Sequence, residues 1–140
     1  MNIYLKQING SSFVAKGDTN HWVTLDNTEE YGGNNAASKP MELILISLAG
    51  CSSMNIVSVL KKKRVEVDDF EVYVSSERAD EHPKVFTKIH IEYVFYGKNI
   101  PPKDVERAIE LSTTKYCSVY AMLKNSIEIK TSYKILESKS

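Results

Sequence analysis

The feature that most constrains the fold is an apolar stretch from Lys39 to Met54, which carries Cys51. Pro40 stands near its start, and proline suits the first turn of a helix because the N–H that it lacks would have no partner there. The residues that follow are apolar on nearly every side, which predicts a helix from about Pro40 to Lys63 that is buried all round. A thiol inside such a helix is either a packing group or a reactive group kept from bulk water.

Length and charge limit the class of protein. A chain of 140 residues is typical of a single domain, here residues 1–140. Lys plus Arg and Asp plus Glu both number 18, so no net charge attracts nucleic acid or an anionic membrane. The uninterrupted apolar run from Leu43 to Ala49 is shorter than the roughly 20 residues that span a bilayer. The first residues show no signal peptide, so we expect a cytoplasmic protein.

Alternating apolar and polar residues predict strands on both sides of this helix. Three short antiparallel strands are expected within residues 1–26, and a loop from Asn27 to Ser38. Two longer strands follow the helix, and a further strand ends the chain. Between them, the pattern predicts a helix that begins near residue 102 and a short one from Ser118 to Asn125. The inner stripe of the first of these helices is Val105, Ala108, Ile109 and Ser112. The order is that of an α+β fold with antiparallel sheets.

Arg78 lies in phase with the apolar face of the strand that follows the central helix. If the strand stays regular that far, its guanidinium points towards the interior and needs an acceptor. If the strand ends at Ser76, Arg78 is a loop residue in water. The sequence leaves both possibilities open.

The two cysteines, Cys51 and Cys117, stand 66 positions apart. They form no CxxC or similar spacing, so no metal site is predicted. Each is either a packing residue or a reactive thiol. Cys117 stands just before the last predicted helix, where the positive end of the helix dipole would favour a thiolate. On electrostatics alone, Cys117 is therefore the better nucleophile.

The segments from Pro40 to Cys51 and from Lys115 to Val119 resemble the OsmC/Ohr family of osmotically inducible and organic hydroperoxide resistance proteins. The resemblance extends from about Gly32 to the end of the chain. The stretch Ser75–Ala79, followed by His82 and Pro83, is most similar to a less characterised OsmC-like branch of predicted redox proteins.

This resemblance implies an OsmC-like fold, in which a long central helix packs on antiparallel sheets within an intertwined homodimer. It also implies that Cys51 is the peroxidatic cysteine, which attacks an organic hydroperoxide, and that Cys117 resolves the resulting sulfenic acid as a disulfide. A dithiol such as dihydrolipoamide would reduce that disulfide. No cofactor or metal is expected, and the partners would include neither nucleic acid nor membrane.

The chain departs from the pattern of the peroxidase branches at two positions. They carry an arginine in the N-terminal sheet, whereas this chain has none before Arg64. They also carry a glutamate directly after the helix proline, where this chain has Met41 and then Glu42. At about 100° per residue, Glu42 lies about 180° from Cys51 around the helix, so the usual role of that glutamate does not pass directly to Glu42, which is kept as a candidate site residue. Arg78 is the expected replacement for the missing cation.

Two functions fit these residues. The first is a thiol-dependent redox protein that reduces organic hydroperoxides through Cys51 and Cys117. The second is a non-catalytic module that binds a small apolar ligand or senses oxidation in the same dimer-interface pocket.

Overall fold

The computed structural model describes residues 1–138. They divide into two compact units, Met1–Ile46 and a second unit that begins at Ser47. The long helix α1 (Pro40–Lys62) begins in the first unit and continues into the second. It ends one residue before the predicted Lys63. By length and composition alone, α1 could cross a membrane, a test that the core helix of a soluble protein also passes.

The N-terminal unit contains the three predicted short strands. They are β1 (Tyr4–Asn9), β2 (Ser12–Lys16) and β3 (Trp22–Leu25), paired antiparallel in the order β1-β2-β3. All six residues of β1 are exposed. A 3₁₀ turn at Glu29–Tyr31 lies within the predicted loop.

The loop of the N-terminal unit is organised around the carboxylate of Asp26, which is only 2% exposed. Its oxygens accept hydrogen bonds from the backbone N–H groups of Asn27 at 2.7 Å, Asn34 at 3.1 Å and Ala36 at 3.0 Å. These bonds, that of Ala36 first, hold the pKa of Asp26 below its usual value despite burial. Gly33 completes the arrangement, because a Cβ there would lie 2.0 Å from the carbonyl oxygen of Asn27.

The C-terminal unit holds the second sheet. Its strands are β4 (Asp69–Arg78), β5 (Phe86–Tyr96) and β6 (Glu128–Leu136), in the order β4-β5-β6. Between β5 and β6 come α2 (Pro102–Leu111), a π-helical turn (Ser112–Tyr116, the π turn) and α3 (Ser118–Leu123). The core includes Ile56 of α1, Ile91 and Phe95 of β5 and Val105 of α2, all fully buried.

Two predictions about this architecture need correction. The second sheet is mixed rather than antiparallel, because β6 runs parallel to β5. A parallel neighbour requires a crossover of a dozen or more residues, and residues 97–127 supply it. Helix α1 is also not buried all round, because Met54 and Val57 are 75% and 50% exposed in the single chain.

A candidate thiol redox site

Cys51 lies on the part of α1 that belongs to the C-terminal unit, and its side chain is half-buried. Apart from its chain neighbours and the backbone of the same helix, no atom lies within 4 Å of the position that a Cβ on the adjacent Gly50 would occupy. Glycine in a helix interior costs roughly 0.5–1 kcal/mol relative to alanine. Here it leaves the surface of the helix bare beside the thiol.

Cys117 stands at the junction between the π turn and α3. It is the N-cap of α3, and its sulfur accepts a hydrogen bond from the backbone N–H of Tyr120 at 3.3 Å. The residue is only 3% exposed.

The side chains of Cys51 and Cys117 interact. Burial is the main cause that raises the pKa of Cys117 to about 11. The backbone N–H groups of Tyr120 and Val119 lower this pKa, and a hydrogen bond and a charge interaction with the Cys51 side chain raise it. Both cysteines are free thiols. The expectation that Cys117 is electrostatically the better nucleophile is therefore wrong, because loss of solvent outweighs the favourable helix end.

A network of buried hydroxyl groups lies directly beside the thiols. Tyr93 of β5 donates from its hydroxyl to Ser52 Oγ at 2.9 Å, and Ser52 Oγ donates to the carbonyl of Ala49 at 3.1 Å. Burial raises the pKa of Tyr93 to about 12, and the nearby Cys117 adds to that rise. Tyr93 and Ser52 are both fully buried.

The sequence did not single out Tyr93 or Ser52 as site residues. The available signals were the position of Tyr93 on the apolar face of its strand and that of Ser52 directly after Cys51. Neither signal distinguishes a site residue from a packed one.

Arg78 lies at the end of β4, so the strand does extend that far. A bulge in β5 pairs Arg78 with Phe86, whose ring lies 5.9 Å from the guanidinium carbon. The Arg78 Nε also donates to the carbonyl of Lys84 at 2.7 Å. Arg78 thus shares the face of the buried Phe86, but it is exposed in the single chain rather than interior. Its placement beside the thiolate stays a prediction.

Glu42 has a structural partner in the N-terminal unit. Its carboxylate accepts a hydrogen bond at 2.8 Å from the backbone N–H of Lys39, the residue before Pro40. A glutamate that reaches back in this way satisfies one of the unpaired donors at a helix start. This contact gives Glu42 a helix-capping role, and its tentative place in the site stays a prediction.

Comparison with known proteins identifies the family. The model of the family described as OsmC-like protein matches residues 32–132. The chain belongs to the OsmC-like family. It is 36% identical over 136 residues to Protein YhfA of Escherichia coli K12. The matched region covers 97% of this chain and 98% of YhfA.

Solved structures of OsmC-like proteins share the fold. A hypothetical protein from Aquifex aeolicus VF5 is 35% identical with a TM-score of 0.86, over 99% of this chain and 97% of that one. An organic hydroperoxide resistance protein OsmC from Legionella pneumophila, described as a predicted redox protein and regulator of sulfide bond formation, has a TM-score of 0.67 over 99% and 98% of the two chains. At 15% identity, that second likeness shows the fold alone.

Proposed function

We propose that this protein is a two-cysteine thiol peroxidase that reduces organic hydroperoxides. The observation that supports the proposal is the interaction of the Cys51 side chain with the buried Cys117 thiol, which contributes to the raised pKa of Cys117. In this proposal Cys51 is the peroxidatic cysteine. It is the less buried of the two thiols, and Gly50 leaves the surface beside it open.

The first step is attack of the Cys51 thiolate on one peroxide oxygen. The O–O bond breaks, the alkoxide leaves as the alcohol after taking a proton, and Cys51 becomes a sulfenic acid. Arg78 is proposed as the cation that stabilises the thiolate and the leaving alkoxide.

The second step is attack of Cys117 on the sulfenic sulfur, which forms the Cys51–Cys117 disulfide. The high pKa of Cys117 means that its thiol is protonated at neutral pH. That proton combines with the departing hydroxide, so water is the leaving group. A dithiol then returns two electrons and two protons and restores both thiols.

We also propose that two copies of the chain associate. The exposed apolar side chains of α1 in the C-terminal unit support this, as do the exposed apolar side chains of β1 in the N-terminal unit. Sedimentation at micromolar concentration checks it, because a species of 15.8 kDa would contradict association.

The substitution that tests the enzyme is Cys51→Ser. With an alkyl hydroperoxide and dihydrolipoamide, we expect peroxide consumption to fall to the background rate, since the hydroxyl cannot act as the thiolate does. The matched variant Cys117→Ser should complete one turnover and then accumulate Cys51 sulfinic acid, as detected by mass spectrometry. Wild-type protein that consumes no peroxide with any dithiol would end the enzyme proposal.

One observation favours the second candidate, a small-ligand-binding module. A cavity of about 670 Å³ in the C-terminal unit has apolar walls that include Val57, Leu60 and Phe95. Its charged lining residues are of both signs: Lys61, Arg64, Glu66, Asp68 and Asp69. Neither cysteine lines this cavity. If binding is the function, a small uncharged apolar compound should bind equally well to the wild type and to a variant without cysteines, as measured by calorimetry. Loss of binding in that variant would argue against the module.

A further inference from the structure

Ser112 joins the backbone next to Cys51 to the backbone of Cys117. Its hydroxyl donates to the carbonyl oxygen of Ser52 at 3.1 Å, across 60 positions of sequence. Its own carbonyl oxygen accepts a hydrogen bond from the N–H of Cys117 at 2.8 Å. Ser112 is therefore a two-bond bridge between the residue after one thiol and the residue that carries the other.

The π turn is the local structure that makes this bridge possible. The bond from Cys117 to Ser112 spans five residues, whereas a regular α-helix would close after four. The turn therefore inserts one more residue between Ser112 and Cys117. The chain then becomes extended at Cys117, with φ −79° and ψ 101°. π turns within helices occur frequently at functional sites.

The acceptor side of the bridge is held in place as well. Ser52 receives a hydrogen bond from the Tyr93 hydroxyl and donates to Ala49 within α1. Ser52, Tyr93 and Ser112 are all fully buried, so no solvent competes for these bonds. A buried hydroxyl is costly unless it is paired, and an alanine at position 112 would fill nearly the same space without that requirement.

We propose that Ser112 is a positioning residue that holds Cys117 within reach of Cys51, and thereby sets how readily the pair closes into a disulfide. The inference rests on the proposed function for its biological role, because it assigns Ser112 to the resolving step. One part of the inference can be tested without peroxide. It is that this bridge gives the two thiols a high effective concentration.

The test is disulfide equilibrium in mixtures of oxidised and reduced dithiothreitol. The protein dithiol is oxidised as the reagent disulfide is reduced, with two electrons and two protons transferred. Mass spectrometry measures the fraction of Cys51–Cys117 disulfide. For Ser112→Ala we expect the equilibrium constant for closure to fall roughly tenfold, the effect of losing one well-formed buried hydrogen bond.

Two variants separate positioning from general destabilisation. Thr114→Ala removes a hydroxyl of the same π turn that donates to Glu110, within the α2 segment, at 2.7 Å, and it should leave the closure constant unchanged. Ser112→Thr keeps an Oγ that can donate to the Ser52 carbonyl and should restore most of the closure. Circular dichroism melts of all three variants identify any that is not folded.

A peroxide assay then distinguishes this inference from the proposed function. In a single turnover, Ser112→Ala should form the Cys51 sulfenic acid at the wild-type rate but convert more of it to sulfinic acid. Closure of Ser112→Ala at the wild-type constant would overturn the inference and leave the peroxidase proposal standing. Closure that depends on Ser112 in a protein without peroxidase activity would uphold the inference and reject the peroxidase. If folded Ser112→Thr closes as poorly as Ser112→Ala, the bridge is not the cause and the inference fails.

Discussion

The two units each bury a polar cluster, and the clusters are of opposite electrostatic character. In the N-terminal unit, Asp26 is held as an anion by the backbone N–H groups around it. In the C-terminal unit, Tyr93 and Cys117 are held as neutral groups by burial. The comparison shows that burial does not by itself decide the charge of a group. The anion survives burial where several backbone donors converge on one carboxylate, and the neutral form prevails where loss of solvent outweighs the hydrogen bonds that favour the anion.

Among the changes that test this comparison, Asp26→Asn is expected to have the largest effect. In this variant an amide nitrogen replaces one of the carboxylate oxygens that accept hydrogen bonds from backbone N–H groups. Each buried N–H that loses its acceptor costs about 1–3 kcal/mol. We expect the N-terminal unit to unfold at a clearly lower denaturant concentration. Trp22 is the only tryptophan in the sequence and lies in this unit, so its fluorescence reports the transition.

Asp18→Asn is the matched control for that variant. Asp18 is an exposed carboxylate of the same unit, and it accepts from the backbone N–H of Asn2 at 3.2 Å. If both variants unfold at the same denaturant concentration, the carboxylate of Asp26 does not hold the loop.

A smaller effect is expected in the wild type as pH changes. The Asp26 cluster should lose its stabilisation at low pH, and the cluster of Cys117 and Tyr93 should lose its stabilisation at high pH. The pKa of Asp26 is lowered in the folded state, so its stabilisation is present above about pH 4 and is lost as pH falls through the lowered value. The pKa values of Cys117 and Tyr93 are raised to about 11 and about 12. Their stabilisation is therefore complete below pH 9 and is lost as pH rises through those values.

Denaturant titrations from pH 3 to pH 11 measure the loss of stability at low pH (the acid limb) and at high pH (the alkaline limb). Trp22 fluorescence follows the N-terminal unit, and far-ultraviolet circular dichroism follows the whole fold. Asp26→Asn should flatten the acid limb, and Cys117→Ser should weaken the alkaline one. An alkaline limb that is unchanged by Cys117→Ser would show that the thiol is not held neutral by the fold.

The smallest effect is expected from Tyr93→Phe. This change removes one buried hydrogen bond, but Ser52 still donates to Ala49, so we expect a loss of about 1 kcal/mol in the free energy of unfolding. The control is Tyr73→Phe, since Tyr73 is 57% exposed and bonds the carboxylate of Glu71 at the surface. Equal losses in the two variants would contradict a special contribution from the buried network.

The sequence predicted helices and strands well where apolar residues recur at a regular spacing. The alternation in β4 and β5 and the inner stripe from Val105 to Ser112 are found as expected, with Val105, Ala108, Ile109 and Ser112 all buried. The direction of β6 was missed, because parallel and antiparallel strands show the same alternation. The buried carboxylate of Asp26 was missed because its partners are backbone groups, which leave no mark on the sequence.

The candidate site was predicted in its cysteines but not in what surrounds them. The resemblance to the family picked out Cys51 and Cys117, whose side chains interact in the structure. The pKa of Cys117 depends on solvent exclusion, which the tertiary structure alone determines. The π turn depends on a hydrogen bond between Cys117 and Ser112 that has no sequence period.

Cys117 lies in the crossover between β5 and β6, so it is synthesised well after Cys51. Cys51 leaves the ribosome 66 residues before Cys117, which at about 5–20 residues per second is a delay of roughly 3–13 seconds. The second sheet cannot be completed until synthesis has reached β6. During that interval the nascent chain carries Cys51 without Cys117, the thiol that the proposed mechanism uses to resolve an oxidised Cys51.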